Sequence, residues 1–193
     1  VAKTYGQPRR SELIFAQDIL TAEEVREEIP DYPCTLFFTA EGYFKKITPQ
    51  SLRMSSEHKL KEGDRIAQAV EASNNRDLLF FSNKGTVYKA KASDFGDTKA
   101  SAMGDFVATK LGFDEGETAI HMVVTTDYSG YLLFFFENGK VAKVDLSAYA
   151  TKTNRRKLVG AYSDKSPLVA IVHIAEDQEF MLTASSGRRL LAH

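Results

Sequence analysis

Residues 132 to 144 read LLFFFENGKVAKV: five apolar side chains, Glu137, then Asn138-Gly139, then a segment that alternates valine with lysine. Asn and Gly both tolerate the positive φ that a two-residue type I′ turn demands, so the stretch predicts a tight β-hairpin turning at Asn138-Gly139. The first arm lacks polar alternation and reads as a strand covered on both faces. The second mixes Val141 and Val144 with Lys140 and Lys143 and reads as a strand that reaches water.

The same unit occurs four times: CTLFFTAEGYFKKI (34 to 47), DLLFFSNKGTVYKA (77 to 90), YLLFFFENGKVAKV (131 to 144) and EFMLTASSGRRLLA (179 to 192). Aligned on Gly42, Gly85, Gly139 and Gly187, the position six before the glycine is Leu36, Leu79, Leu133 or Met181, and the next is Phe37, Phe80, Phe134 or Leu182. The glycines are spaced by 43, 54 and 48 residues, close to the roughly 40 to 50 residues of a four-stranded propeller repeat. Strand-like runs between the hairpins, RIAQAVEA (65 to 72), TAIHMVVTT (118 to 126) and LVAIVHIA (168 to 175), would complete each sheet. A single small sheet cannot bury both faces, so the sheets must pack radially on one another. The expectation is an all-β, propeller-like domain of repeated four-stranded antiparallel blades, about four of them, over residues 34 to 193.

Residues 1 to 33 differ. TAEE (21 to 24) is a capping box that opens a short helix, and Pro30 and Pro33 stop it, so this segment reads as a lead-in linker rather than a blade. It holds seven acids against four bases, which leaves the rest of this −1 chain at +2. The longest acid-free basic stretch is LSAYATKTNRRKLVGAYS (146 to 163). The single cysteine, Cys34, excludes an internal disulfide framework and fits a reducing compartment, the cytoplasm. The apolar run from Tyr131 to Phe136 is far too short for a helix to span a bilayer, and no signal-peptide pattern opens the chain, so no membrane partner is expected. Val1 stands where an initiator Met would, which reads as a piece of a longer chain.

Enzyme chemistry finds no foothold. His58, His121, His173 and His193 are scattered without ligand spacing, and no G-x-S-x-G, G-x-G-x-x-G or P-loop pattern occurs, so neither catalytic nor metal-binding residues are expected. The basic positions remain. Lys46, Lys89 and Lys143 recur four residues after their glycines, with Lys45 and Lys91 on the same second arms. Arg188 and Arg189 follow the fourth glycine, and Lys152, Arg155, Arg156 and Lys157 cluster between units. Such lysines can serve only as gatekeepers against edge aggregation. Aligned around one rim, they would form a curved basic surface for a bent polyanion.

The repeat L-F-F-T-x-x-G-x-x-x-K resembles the C-terminal β-pinwheel of the DNA gyrase A subunit and of its topoisomerase IV equivalent, and KTYGQPRRSEL (3 to 13) resembles the stretch where that family's catalytic core ends. The resemblance covers nearly the whole chain. It implies a domain that binds and bends duplex DNA without base readout and presents it to the core of an ATP-dependent type IIA topoisomerase. On that reading the eleven basic residues named above contact DNA. The partners are duplex DNA, the ATPase subunit, and the catalytic core that precedes this domain in the same polypeptide. ATP and Mg belong to the full enzyme, with no cofactor in this fragment. The family's cleaving tyrosine follows an arginine, and none of the eight tyrosines here does. The chain departs from gyrase where that family carries a Q-R-R-G-G-R-G-like box: QSLRMSSEHKLKEGD (50 to 64) stands there, which implies bending with little chiral wrap. The alternative, from another class, is a propeller-like protein-interaction scaffold.

Overall fold

The computed structural model describes residues 29 to 151 and 156 to 192. The helix expected after Thr21 lies outside them, as do Lys152 and Arg155. Among the described residues thirteen strands make four antiparallel sheets.

The first blade is built on the hairpin of β1 (Pro33–Thr39) and β2 (Tyr43–Ile47), with β3 (Ile66–Ser73) against β1. The second is built on β4 (Asp77–Ser82) and β5 (Val87–Lys91), with β7 (Ala119–Thr125) against β4. The third pairs β8 (Tyr131–Phe136) with β9 (Val141–Asp145) and β11 (Leu168–Ile174). The fourth is the hairpin of β12 (Phe180–Thr183) and β13 (Arg189–Ala192). The three runs read from the sequence as sheet-completing strands are β3, β7 and β11.

The fourth strand of a blade comes from further along the chain. β6 (Asp105–Phe106) follows the second hairpin but pairs with β2 of the first blade, and β10 (Lys157–Leu158) follows the third hairpin but pairs with β5 of the second. The first two blades are thus each closed by a strap from the successor, while among the described residues the third sheet has three strands and the fourth two. Two-residue strands leave no periodicity, which is why sequence pattern does not announce them. Two short helices flank the straps: α1 (Pro49–Met54), capped by Thr48, and α2 (Val107–Leu111), ended by left-handed Gly112.

The turn differs from the type I′ expectation. Gly139 has φ +78° but Asn138 does not enter positive φ, and the Gly139 N–H donates to Phe136 O at 2.9 Å while the Phe136 N–H donates to Lys140 O at 3.0 Å. This is a type I turn closed by a left-handed glycine, the longer hairpin connection, in which only one position needs glycine's freedom. Gly42 and Gly187 repeat the same bond to the residue three before.

The apolar runs are explained by blades on both sides. On β4, Leu78 and Phe80 enter the core shared with the first blade beside Leu36, Phe38, Phe44 and Phe95, while Leu79 and Phe81 enter the core shared with the third beside Leu132 and Phe134. Ring contacts run through both cores, Phe44 to Phe80 at 5.7 Å and Phe81 to Phe134 at 5.7 Å, in the edge-on geometry that aromatic quadrupoles favour. Phe37, Ile47 and Ala100 form a smaller cluster on the outer face of the first blade with Leu52 of α1.

Candidate nucleic-acid interface

β3 and β7 form the convergent edges of the first two blades: the Gln68 side chain on β3 donates to Met122 O at 2.9 Å and accepts from the Met122 N–H at 2.8 Å. The edges opposite to them, β6 and β10, therefore lie outermost. Arg156 and Lys157 sit on that outer edge of the second blade, Arg156 exposed and Lys157 half-buried.

The recurrent lysines go elsewhere. Cross-strand register pairs Lys46 with Leu36, Lys89 with Leu79 and Lys143 with Leu133, so all three leave the sheet on the face turned toward the next blade. Lys46 is buried; its ammonium donates to Asn74 Oδ1 at 2.5 Å, lies 3.3 Å from Asp97 and stands over the Tyr32 ring at 5.5 Å. Lys89 is half-buried and donates to Tyr149 O at 2.9 Å and Thr151 Oγ1 at 3.1 Å, with Tyr128 beneath it at 5.0 Å. Burial lowers its pKa, against a smaller upward pull from Asp77. Lys143 is more exposed, stands over Tyr131 at 4.2 Å and pairs with Asp177, which raises its pKa.

Lys45 turns to the outer face and is also enclosed, 1% exposed. Its ammonium donates to Lys59 O at 2.7 Å and Ala100 O at 3.0 Å, and burial lowers its pKa. Lys45 and Lys46, expected as DNA contacts, are enclosed as internal ties: two of the three donors of each buried ammonium serve protein acceptors, and baring it to a phosphate would leave those acceptors unsatisfied. The sequence signal that grouped Lys46 with Lys89 and Lys143, a common offset from the glycine, reports blade geometry.

Of the remaining expected residues, Lys91, Arg156, Arg188 and Arg189 are exposed, and among the described residues none has a carboxylate partner. The structure brings Arg156 and Lys157 together on one strand edge and leaves Arg188 and Arg189 on the fourth hairpin, with Lys91 at the end of β5. Lys157 carries a counter-charge that no local motif announces: its ammonium is 2.6 Å from Asp114 and 5.6 Å from the Tyr88 ring, and the hydrogen bond to Asp114 raises its pKa. Behind Asp114, the buried Glu117 accepts from Tyr88 Oη at 2.6 Å, from Ser82 Oγ and from the Asp114 N–H at 3.2 Å. Burial alone would raise the Glu117 pKa, but these donors outweigh it and hold the carboxyl below its usual range.

The segment 50 to 64 is tethered to the outer face of the first blade. Lys45 bridges it to the strap, and the Lys59 N–H donates to Ala100 O at 2.9 Å. Its exposed bases are Arg53, Lys59 and Lys61, the last paired with Glu41. His58 packs on Phe37 at 4.4 Å, and desolvation, with Lys45 adding to it, lowers its pKa and so favours the neutral ring. Among the described residues no group of three or more His, Cys, Asp or Glu could hold a metal ion, and no helix is long and apolar enough to cross a membrane.

A family model described as the DNA gyrase C-terminal domain, beta-propeller, matches residues 76 to 126, the span of the second blade from β4 to β7. Among curated relatives, the DNA topoisomerase 4 A subunit of Bacillus subtilis (strain 168) is 28% identical over 94% of this chain and 23% of its own length. The DNA gyrase A subunit of Streptomyces coelicolor is 30% identical over 77% of this chain and 18% of its own length. The chain therefore spans about a fifth of such relatives. Among solved structures, a C-terminal domain of DNA topoisomerase IV superposes with a TM-score of 0.71 at 25% identity, covering 84% of this chain and 52% of that one. A DNA gyrase A C-terminal domain superposes at 0.58 with 18% identity, covering 85% and 56%, a likeness of fold alone.

Proposed function

We infer the function from one premise: the chain belongs to the family of DNA gyrase C-terminal β-propeller domains, found in the A subunits of gyrase and topoisomerase IV. It binds duplex DNA without sequence preference and bends it around the outer edge of its blades. As part of a longer polypeptide in the cytoplasm, it presents that DNA to a strand-passage core carried by the rest of the same polypeptide, driven by an ATPase partner. ATP and magnesium act there, and no step at this domain needs them.

The observation that carries this reading is the outer edge of the second blade, where Arg156 is exposed, without a carboxylate partner among the described residues, and Lys157 lies beside it. Cations on the convex edge of a radial stack meet the backbone of a duplex laid across successive blades. Contacts of this kind hold position through phosphates and read no bases. Bending a site of 20 to 30 base pairs costs about 1 to 6 kcal/mol, which contacts to more than one blade must supply. Lys91, Lys143, Arg188 and Arg189 extend the set, with Lys152 and Arg155 beside Arg156 in sequence.

Changing Arg155, Arg156 and Lys157 together to Glu tests the assignment. Affinity should fall by a similar factor, at least tenfold, on several unrelated duplexes, with the circular dichroism of the domain unchanged. Affinity that stays put, or that falls on one sequence only, would remove the outer edge of the second blade from the interface.

A further inference from the structure

Lys46 and Lys89 do the same thing one blade apart. The ammonium of Lys46 reaches Asp97, and that of Lys89 reaches Thr151; each of these acceptors stands twelve residues after the glycine of the next hairpin, Gly85 or Gly139. The main chain at the same lysine holds the same strap a second time. Thr98 donates its N–H to Lys46 O at 2.7 Å, and the Lys89 N–H donates to Arg156 O at 2.7 Å. The residues so held precede β6 and β10 in the chain, the strands that close the outer edges of the two blades. In the first blade the strap is pressed so close to β2 that a Cβ on Gly104, which has φ +88°, would lie 2.5 Å from Phe44 O.

From this juxtaposition we propose that Lys89 is a positioning residue for DNA binding: it touches no phosphate itself but, with its ammonium on Tyr149 and Thr151 and its main-chain N–H on Arg156, ties these residues to β5 and holds Arg156 and Lys157 on the outer edge. The proposal rests on the DNA-binding reading above. A clamp is needed because β10 has only two residues, whose ladder with β5 is the pair Lys157 with Tyr88 and Leu158 with Val87. So short a strand has little stability of its own. The Lys89 ammonium is well suited to hold it. Its stem passes between blades, Tyr128 supports the charge from below, and Tyr128 is itself fixed by its hydroxyl donating to Asp77 at 3.1 Å. The lowered pKa of Lys89 accords with an ammonium drawn out of water to serve internal acceptors.

The test uses the 193-residue chain with Lys89→Met, which keeps the volume of the stem, and Thr151→Val, which removes an acceptor instead. Two readouts are taken. Hydrogen exchange should quicken at the amides of residues 89 and 158, which face the partner strand in the β5–β10 ladder, in both variants, while the amides of β4 keep their protection. Duplex affinity should fall about tenfold near 0.1 M salt, the factor that one lost phosphate contact gives. In a background already carrying Arg156→Ala and Lys157→Ala, Lys89→Met should cost little more, because a positioning residue has nothing left to position. Unchanged exchange overturns the clamp. Faster exchange with undiminished affinity overturns its role in binding, and a loss that adds in full to the double-alanine background makes Lys89 a direct contact instead. If the unmodified chain fails to bind duplex, the DNA reading and the positioning role fall together, and the exchange readout alone decides whether Lys89 holds β10.

Discussion

Phe80 and Phe134 occupy equivalent places five residues before their turn glycines, and both are fully buried, each in a core shared by two blades. Replacing either by Ala should cost about 3 to 5 kcal/mol, the range for a large aromatic removed from a core that cannot collapse onto the void. Chemical denaturation of the variants measures it, and a loss under about 0.5 kcal/mol would misplace the core. His121 gives the residue scale its pH dependence. It sits on β7 opposite Phe81, and burial pushes its pKa down to about 4 from 6.5. The folded state therefore prefers the neutral ring. Its contribution to stability is complete above the unfolded pKa, is lost as pH falls from about 6.5 toward 4, and levels off below. The size is on the order of 3 kcal/mol. His121→Gln should flatten that part of the stability profile, and an unchanged slope between pH 6.5 and 4 would mean the ring is hydrated in the fold.

At the scale of elements, what was legible in the sequence were features with a period: the hairpins, their glycines and the strands β3, β7 and β11, each long enough to show an apolar pattern. What was not legible were β6 and β10, two residues each, and with them the exchange of straps between blades. The lysine offset was visible, but its meaning depended on the face from which the side chain leaves, and that is set by register with a strand far away in sequence. The counter-charge on Lys157 was hidden for a like reason, because Asp114 lies 43 residues upstream. It yields a prediction for the turn that faces β10. Asp114→Asn should free Lys157 for phosphate and raise duplex affinity severalfold, since a neutral amide competes weakly for an ammonium. An electrophoretic shift series at fixed salt would read this, and a fall in affinity would show that the pair is needed to hold the edge in place.

On the scale of the whole molecule, a net charge of −1 gives no field that would draw DNA from every side, so attachment depends on where the charge lies. The sheets converge at β3 and β7 and part toward β6 and β10, so side chains on the outer strands are the ones that follow a convex path. Where the chain lacks an arginine-glycine box, segment 50 to 64 is tied down by Lys45 and offers Arg53 and Lys59 without ion-pair partners among the described residues. That arrangement accords with a bend held at separate points more than with a continuous wrap. The measurement that bears most directly on a phosphate-bound outer edge is duplex affinity for a random-sequence fragment across a series of salt concentrations. With about four to six phosphates neutralised, log affinity should fall linearly against log salt with a slope of about −4 to −5, and a second unrelated sequence should give the same line. A flat response to salt, or a line that shifts strongly with sequence, would contradict that edge and return the domain to the class of protein-interaction scaffolds.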